Sequence, residues 1–156
     1  MNVRAKGHAL ERSDAKYIRE NTAFVNVKTA RYASKLHDDA KIDLVYIPYA
    51  WQCKAGYNRG INYEKLIAEM ETAQKQKLGE LLPIIIHHKK TRKNNKKQED
   101  ENMIIMKKEV FETFLPYAND VLIKYITPNL IKIQFDEFRT LFTGKHPPRS
   151  STERHS

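Results

Sequence analysis

The sequence predicts an α/β fold in which a mixed β-sheet is flanked by helices. Two observations favour it: stretches with helical spacing of apolar residues alternate with short apolar runs of strand length, and 156 residues are enough for one domain. The predicted order is helix, three strands, helix, strand, and then strand and helix again. We expect a single domain over residues 1–143, with 119–143 as a possible C-terminal extension. Residues 144–156 carry no strongly apolar side chain and predict a disordered tail.

The first half of the chain predicts one helix and three strands. Good helix formers without Gly or Pro indicate a helix over residues 8–20. Alternating residues 24–28 predict a strand, and the polar stretch 29–41 shows no clear period. Residues 42–47 and 50–55 predict two further strands, and the short connection between them predicts a hairpin.

The second half repeats a strand-into-helix pattern. Apolar residues at helical spacing predict a helix over 63–78, ended by Gly79. The remaining elements are a buried strand at 81–87, a charged loop at 89–102, a strand at 102–106 and a helix from 108 to 115. Residues 103–115 and 130–142 resemble each other, which we interpret as a recurring βα pattern rather than a duplication.

The composition indicates an anionic partner. Lys and Arg number 28 against 19 acidic residues, for a net charge of +9 and a pI near 9.6. Nucleic acid is the commonest partner of such a protein, and a membrane surface is disfavoured because no basic amphipathic helix or lipidation motif stands out. Cys53 is the sole cysteine, which excludes a disulfide framework. Without a signal peptide or a membrane-length apolar run, we expect a soluble cytoplasmic protein.

The predicted hairpin brings polar side chains together. Alternate residues of a strand share a face, so Gln52 and Lys54 lie on one side and Trp51 and Cys53 on the other. Asp43 on the preceding strand can then stand beside Gln52 and Lys54. A lysine in such a strand is unusual, since lysine is rarely buried without a partner. The alternative is an edge strand with a solvated lysine.

The first helix directs carboxylates toward the sheet. Its inward stripe contains Leu10, Asp14, Tyr17 and Ile18, with Glu11 beside it. A helix built only for packing turns its acids outward, although a narrow apolar stripe with acids at its rim is the alternative. Together with Asp43, Gln52 and Lys54, Glu11 completes a constellation for phosphodiester hydrolysis. Hard oxygen ligands hold Mg²⁺, with Mn²⁺ as a possible substitute, and lysine orients water or offsets charge.

Several of these motifs resemble a known family. The segment 6–12 (KGHALER) resembles the Lys-Gly-x-x-x-Glu opening of archaeal-type and phage Holliday-junction resolvases, members of the PD-(D/E)XK nuclease superfamily. IDLV at 42–45 followed by WQCK at 51–54 resembles the family's Asp strand and its (Glu/Gln)-x-Lys strand. The runs 82–87 and 103–106 resemble the closing strands of phage members. The resemblance covers roughly residues 4–115 and implies a restriction-endonuclease-like fold.

The resemblance also implies roles for individual residues. Glu11, Asp43 and Gln52 would bind the metal, Lys54 would be the catalytic lysine, and Ser34 would contact substrate. The departure is Gln52, because the family more often has Glu and an amide is a weaker Mg²⁺ ligand than a carboxylate. The candidates for the missing charge are Asp14, Asp39 and Glu64. The other expected DNA contacts are Lys6, Arg12, Tyr57, Arg59, Lys89, Lys90 and Arg92.

The function implied is metal-dependent nicking of four-way or otherwise branched DNA by a homodimer, because two symmetric nicks call for twofold symmetry. The basic loop 89–97, with six cations in nine residues, would bind phosphates without reading sequence, or is a solvated hairpin tip. The functional alternatives are a nuclease for flaps or foreign duplex, and a non-catalytic DNA-binding protein that lost its chemistry at Gln52. A zinc site at His87 and His88 lacks further plausible ligands.

Overall fold

The computed structural model describes residues 3–56, 60–90, 101–118 and 120–149. The helices are α1 (Val3–Asn21), α2 (Ala30–Ala33), α3 (Lys35–Asp39), α4 (Tyr63–Lys77), α5 (Lys108–Glu112) and α6 (Phe135–Lys145), with a 3₁₀ turn at Leu115–Tyr117. The strands are β1 (Lys28–Thr29), β2 (Leu44–Val45), β3 (Ala50–Gly56), β4 (Ile84–Lys90), β5 (Glu101–Lys107), β6 (Ile123–Thr127) and β7 (Leu130–Gln134). No helix among these residues combines the length and apolar composition needed to cross a membrane.

The main sheet has five strands in the order β3-β4-β5-β7-β6. Strands β3 and β4 are parallel, with α4 as the crossover between them, and the other neighbours are antiparallel. Strands β1 and β2 form a separate antiparallel pair. The prediction of a mixed sheet flanked by helices is therefore confirmed.

Both faces of the main sheet are covered. One core lies between the sheet and helices α1, α5 and α6, and it includes Trp51, Ile104 and Phe138. The other core lies under α4 and includes Ile67 and Met70. A strand buried on both faces has no solvated side, which explains the unbroken apolar run at the start of β4.

Two predictions about the first strands were wrong. Residues 24–27 are not a strand, because β1 begins only at Lys28. The strand predicted at 42–47 shortens to β2, which pairs with β1 and not with β3 as a hairpin. Tyr46 takes a left-handed backbone conformation with φ of 66°, which ends the strand after two residues. The aperiodic stretch 29–41 holds the short helices α2 and α3, and the Ser34 side chain caps α3.

The C-terminal segment contributes two strands to the main sheet. Strand β7 lies between β5 and β6, an edge strand. The tail predicted from Gly144 begins too early. Helix α6 continues to Lys145, and the Nε2 atom of His146 lies 2.7 Å from the Tyr49 hydroxyl. Residues 150–156 lie outside the described residues.

Strand β4 begins and ends three residues later than the sequence predicted. It runs from Ile84 to Lys90 instead of from 81 to 87, since Pro83 lacks the N–H that an inner strand needs. Strand β5 begins at Glu101, so the predicted charged loop shortens at both ends. Its central part, residues 91–100, lies outside the described residues.

Candidate functional site

Asp43 lies at the edge of β3 although the predicted hairpin does not form. The Asp43 backbone N–H donates to the Trp51 carbonyl at 2.7 Å. The Cys53 backbone N–H donates in turn to the Asp43 carboxylate, also at 2.7 Å. These two hydrogen bonds hold Asp43 against the strand that carries Gln52 and Lys54. Asp43 therefore lies close to the strand of Gln52 and Lys54, as predicted, although the predicted strand pairing was wrong.

The Asp43 carboxyl is electrostatically perturbed. Burial raises its pKa to about 7, and the nearby negative charges of Glu11 and Asp38 act in the same direction. The Cys53 N–H and the Lys54 ammonium oppose this shift. Glu11, Asp38 and Lys54 therefore all lie within electrostatic range of Asp43. A cation bound here would favour the ionised carboxylate.

Gln52 presents a buried atom that lacks a partner. Its side chain is only 9 % exposed, and its Oε1 atom is buried and accepts no hydrogen bond from the described residues. Leaving such an oxygen unpaired costs roughly 1–3 kcal/mol. Amide and carboxylate oxygens are the donors that Mg²⁺ and Mn²⁺ take in proteins. The oxygen donors of the predicted ligands Glu11, Asp43 and Gln52 therefore match the ligand preference of a hard divalent ion.

Glu11 already has a cationic partner. The guanidinium of Arg31 lies 2.7 Å from the Oε2 atom of Glu11, and both side chains are largely buried. Arg31 was not among the predicted site residues. It lies 20 residues from Glu11 in a stretch without periodicity, so no pattern in the sequence linked the two. A metal at this site would share Glu11 with Arg31.

Lys54 is half-buried on β3, in register with His88 of β4. Strand β3 is the terminal strand of the sheet, as the edge-strand alternative proposed, but Lys54 is not freely solvated. Its charge acts on Asp43, on His88 and on Glu69 of α4.

No family model, curated protein or solved structure matches the chain.

Three of the expected DNA contacts line two cavities. Lys6 and Lys89 line a cavity of about 360 Å³ between α1 and the ends of β3 and β4. Arg12 lines a separate groove of about 550 Å³ between α1 and the segment that holds β1 and α2, together with Lys16, Arg19 and Lys28. Three of these four basic residues were not predicted as contacts.

The other expected contacts are more scattered. Ser34 Oγ accepts a hydrogen bond from the backbone N–H of His37 at 3.3 Å and lies 2.8 Å from its ring Nδ1, so this side chain serves as a helix cap. Lys90 is half-buried at the end of β4 and lines a cavity of about 170 Å³ with His88. Asp39 and Glu64 are exposed. Tyr57, Arg59 and Arg92 lie outside the described residues.

A second polar group lies on the α1 face of β3, and we call it the closed cluster: Asp14, Trp51, Cys53, His87 and Asn102. The Oδ2 atom of Asp14 lies 2.9 Å from Trp51 Nε1, 3.4 Å from Cys53 Sγ and 2.6 Å from His87 Nδ1. The other ring nitrogen of His87 lies 2.5 Å from Asn102 Oδ1. Each polar side chain of the closed cluster therefore has a partner within it.

The closed cluster corrects one expectation about histidine. His87 does have potential co-ligands, since the ligand atoms of Asp14, Cys53 and His87 lie within 4.8 Å of one another. Burial, with the charge of Asp14 next, raises the pKa of the Cys53 thiol, so the metal-free thiol stays protonated and donates to Asp14. Asp14, a candidate for the charge missing at Gln52, is already engaged by three donors. We interpret the closed cluster as a structural hydrogen-bond network.

Proposed function

We propose that the protein is a metal-dependent endonuclease that nicks branched DNA, in the manner of the PD-(D/E)XK resolvases that its motifs resemble. The observation that carries this proposal is that Asp43, a half-buried carboxyl of raised pKa, is held against the strand that carries Gln52, whose buried Oε1 atom has no partner among the described residues. Both groups gain from a divalent cation. Lys54 follows on the same strand and acts electrostatically on Asp43.

The residues of the candidate site would have different roles in the reaction. Glu11, Asp43 and Gln52 would hold Mg²⁺ or Mn²⁺, which supplies Lewis acidity to the phosphate and lowers the pKa of a bound water. The Lys54 ammonium offsets the negative charge that develops on the phosphate oxygens, or orients the attacking water. Arg31 fixes the orientation of the Glu11 carboxylate through the ion pair at 2.7 Å.

Basic grooves support a DNA substrate. The groove lined by Arg12, Lys16, Arg19 and Lys28 places four cations on one side of α1, and Lys6 and Lys89 line the neighbouring cavity. Such contacts position a phosphate backbone without reading its sequence. The preference for branched DNA rests on the motif resemblance, and the homodimer on the twofold symmetry of a four-way junction.

One observation favours a second candidate function. Glu11 is paired with Arg31, and Gln52 carries no charge, so the ligand set offers less negative charge than three carboxylates would. A protein with weak metal affinity would bind DNA and not cut it. The second candidate is therefore a non-catalytic DNA-binding protein with the same fold.

The deciding experiment uses a synthetic four-way junction, a flap and a linear duplex, each with and without Mg²⁺. We expect Mg²⁺-dependent nicking of the junction in preference to the duplex. Lys54→Ala should bind the junction without nicking it, while the exposed control Lys65→Ala should behave as wild type. Nicking of the flap alone would indicate a different nuclease. Tight binding without nicking by the wild-type protein in either metal would indicate the DNA-binding alternative.

A further inference from the structure

His88 is a buried histidine with one nitrogen unaccounted for. The residue is only 4 % exposed. Its Nδ1 atom lies 2.5 Å from the hydroxyl oxygen of Tyr63, at the start of α4. Its Nε2 atom is buried and has no hydrogen-bond partner among the described residues. A buried unpaired nitrogen is costly, so either the fold accepts that cost or the atom has a partner in the working state of the protein.

Lys54, on the neighbouring strand β3, carries a donor that could pair with this nitrogen. The parallel ladder of β3 and β4 sets Lys54 opposite His88, and Gln52 opposite Ile86. Side chains alternate along a strand, so Lys54 and His88 lie on the same face, the one covered by α4. Adjacent strands are about 4.8 Å apart, which a lysine side chain spans easily.

The charge state of His88 suits it to accept a hydrogen bond. Burial lowers its pKa to about 4, aided by the charge of Lys90 and more weakly by that of Lys54, while the charge of Glu101 opposes the shift. The ring is therefore neutral at neutral pH. A neutral ring has one donor and one acceptor nitrogen, whereas a lysine ammonium only donates. Both nitrogens are satisfied if Nδ1–H donates to the Tyr63 oxygen and Nε2 accepts from the Lys54 ammonium.

The carboxylates around Lys54 already have hydrogen-bond or ion-pair partners. Glu69 of α4 lies within electrostatic range of Lys54, but its carboxylate is paired with Lys41 at 2.9 Å. The Asp43 carboxylate accepts the Cys53 N–H and, under the proposed function, binds the metal. Glu11 is paired with Arg31. His88 therefore offers the free acceptor that can fix the ammonium without neutralising it.

We propose that His88 is a positioning residue for Lys54: Tyr63 fixes the ring, and Nε2 accepts one hydrogen bond from the Lys54 ammonium. The two remaining ammonium protons then point to the attacking water and the phosphate. The inference deepens the proposed function and rests on it for the role of Lys54. The hydrogen bond itself can be tested on the free protein, without any nuclease assay.

The first test is nitrogen NMR of the wild-type protein with labelled histidine. We expect the Nδ1–H form of His88 at neutral pH, with Nε2 unprotonated, and a change in the Nε2 shift in Lys54→Ala but not in the control Lys65→Ala. A proton on Nε2, or a shift that is the same in Lys54→Ala, would overturn the proposal. This result does not depend on whether the protein cuts DNA.

The second test separates an acceptor from a space-filling ring. His88→Gln retains an oxygen that can accept from Lys54, whereas His88→Phe fills the space without one. We expect kcat for junction nicking to fall by roughly 10- to 100-fold in His88→Phe, as for a misplaced catalytic group, with KM almost unchanged. His88→Gln should recover most of that loss. Equal loss in both variants, when both melt as wild type, would assign His88 a purely structural role.

Discussion

The two faces of β3 differ in how their buried polar atoms are satisfied. On the α1 face, the closed cluster pairs Asp14 with Trp51, Cys53 and His87. On the α4 face, Gln52 and His88 each have one buried atom without a partner among the described residues. Buried polar groups are nearly always hydrogen-bonded, so a satisfied network indicates stability and an unsatisfied one indicates a missing partner. We therefore interpret the closed cluster on the α1 face as structural and propose that Gln52 and His88, on the α4 face, serve the function.

Lys54→Ala should produce the largest effect on activity and little effect on stability. Removing the group that stabilises the reacting phosphate should lower kcat at least on the order of 10²–10³-fold. Junction affinity should stay within about threefold, because it comes from many dispersed cations. Nicking rates and filter-binding affinities, with Lys65→Ala as the matched control, measure both. Parallel losses of binding and nicking would make Lys54 an ordinary DNA contact.

Asp14→Ala should produce the opposite pattern. Three buried donors lose their acceptor, so we expect a loss of roughly 3–5 kcal/mol in the free energy of unfolding. The Mg²⁺ concentration needed by the fraction that remains folded should not change. Urea denaturation, followed by a Mg²⁺ titration of nicking below the melting temperature, checks both points. A changed metal requirement without destabilisation would mean that the closed cluster takes part in metal binding.

Some of this contrast could be predicted from the sequence and some could not. Strand alternation placed Gln52 and Lys54 on the face opposite Trp51 and Cys53, which follows from local geometry alone. The contact between His87 and Asp14 joins residues 73 positions apart, so no local pattern signals it. The left-handed backbone of Tyr46, which removes the predicted hairpin, is likewise unmarked by residue type.

Asp43→Asn should change how stability depends on pH. The folded carboxyl titrates near pH 7 and the unfolded one near its ordinary value of 3.8, so the folded protein binds more protons between these values. Metal-free wild-type protein should therefore lose stability as the pH rises from about 4 to about 7. Asp43→Asn lacks this loss and should melt higher than wild type at pH 8 but not at pH 3.5. Thermal melts in EDTA at the two pH values test the sign. An identical pH profile for the two proteins would contradict the raised pKa.

Gln52→Glu should have the smallest effect. A carboxylate in place of the unpartnered amide oxygen should bind the cation more tightly, so half-maximal nicking should move to a Mg²⁺ concentration several-fold lower. The two side chains are nearly isosteric, so the fold should tolerate the change. A Mg²⁺ titration of nicking by both proteins gives the midpoint. An unchanged midpoint would mean that Gln52 does not contact the metal.

The most direct test of the central claim is calorimetric titration of Mn²⁺ into wild-type, Asp43→Asn and Cys53→Ser proteins in the absence of DNA. Asp43→Asn changes the candidate metal site and Cys53→Ser changes the closed cluster, each with little change in side-chain volume. We expect saturable Mn²⁺ binding by wild type, its loss in Asp43→Asn and its retention in Cys53→Ser. Binding that survives in Asp43→Asn and disappears in Cys53→Ser would place the metal in the closed cluster and contradict the assignment of function to the unsatisfied face.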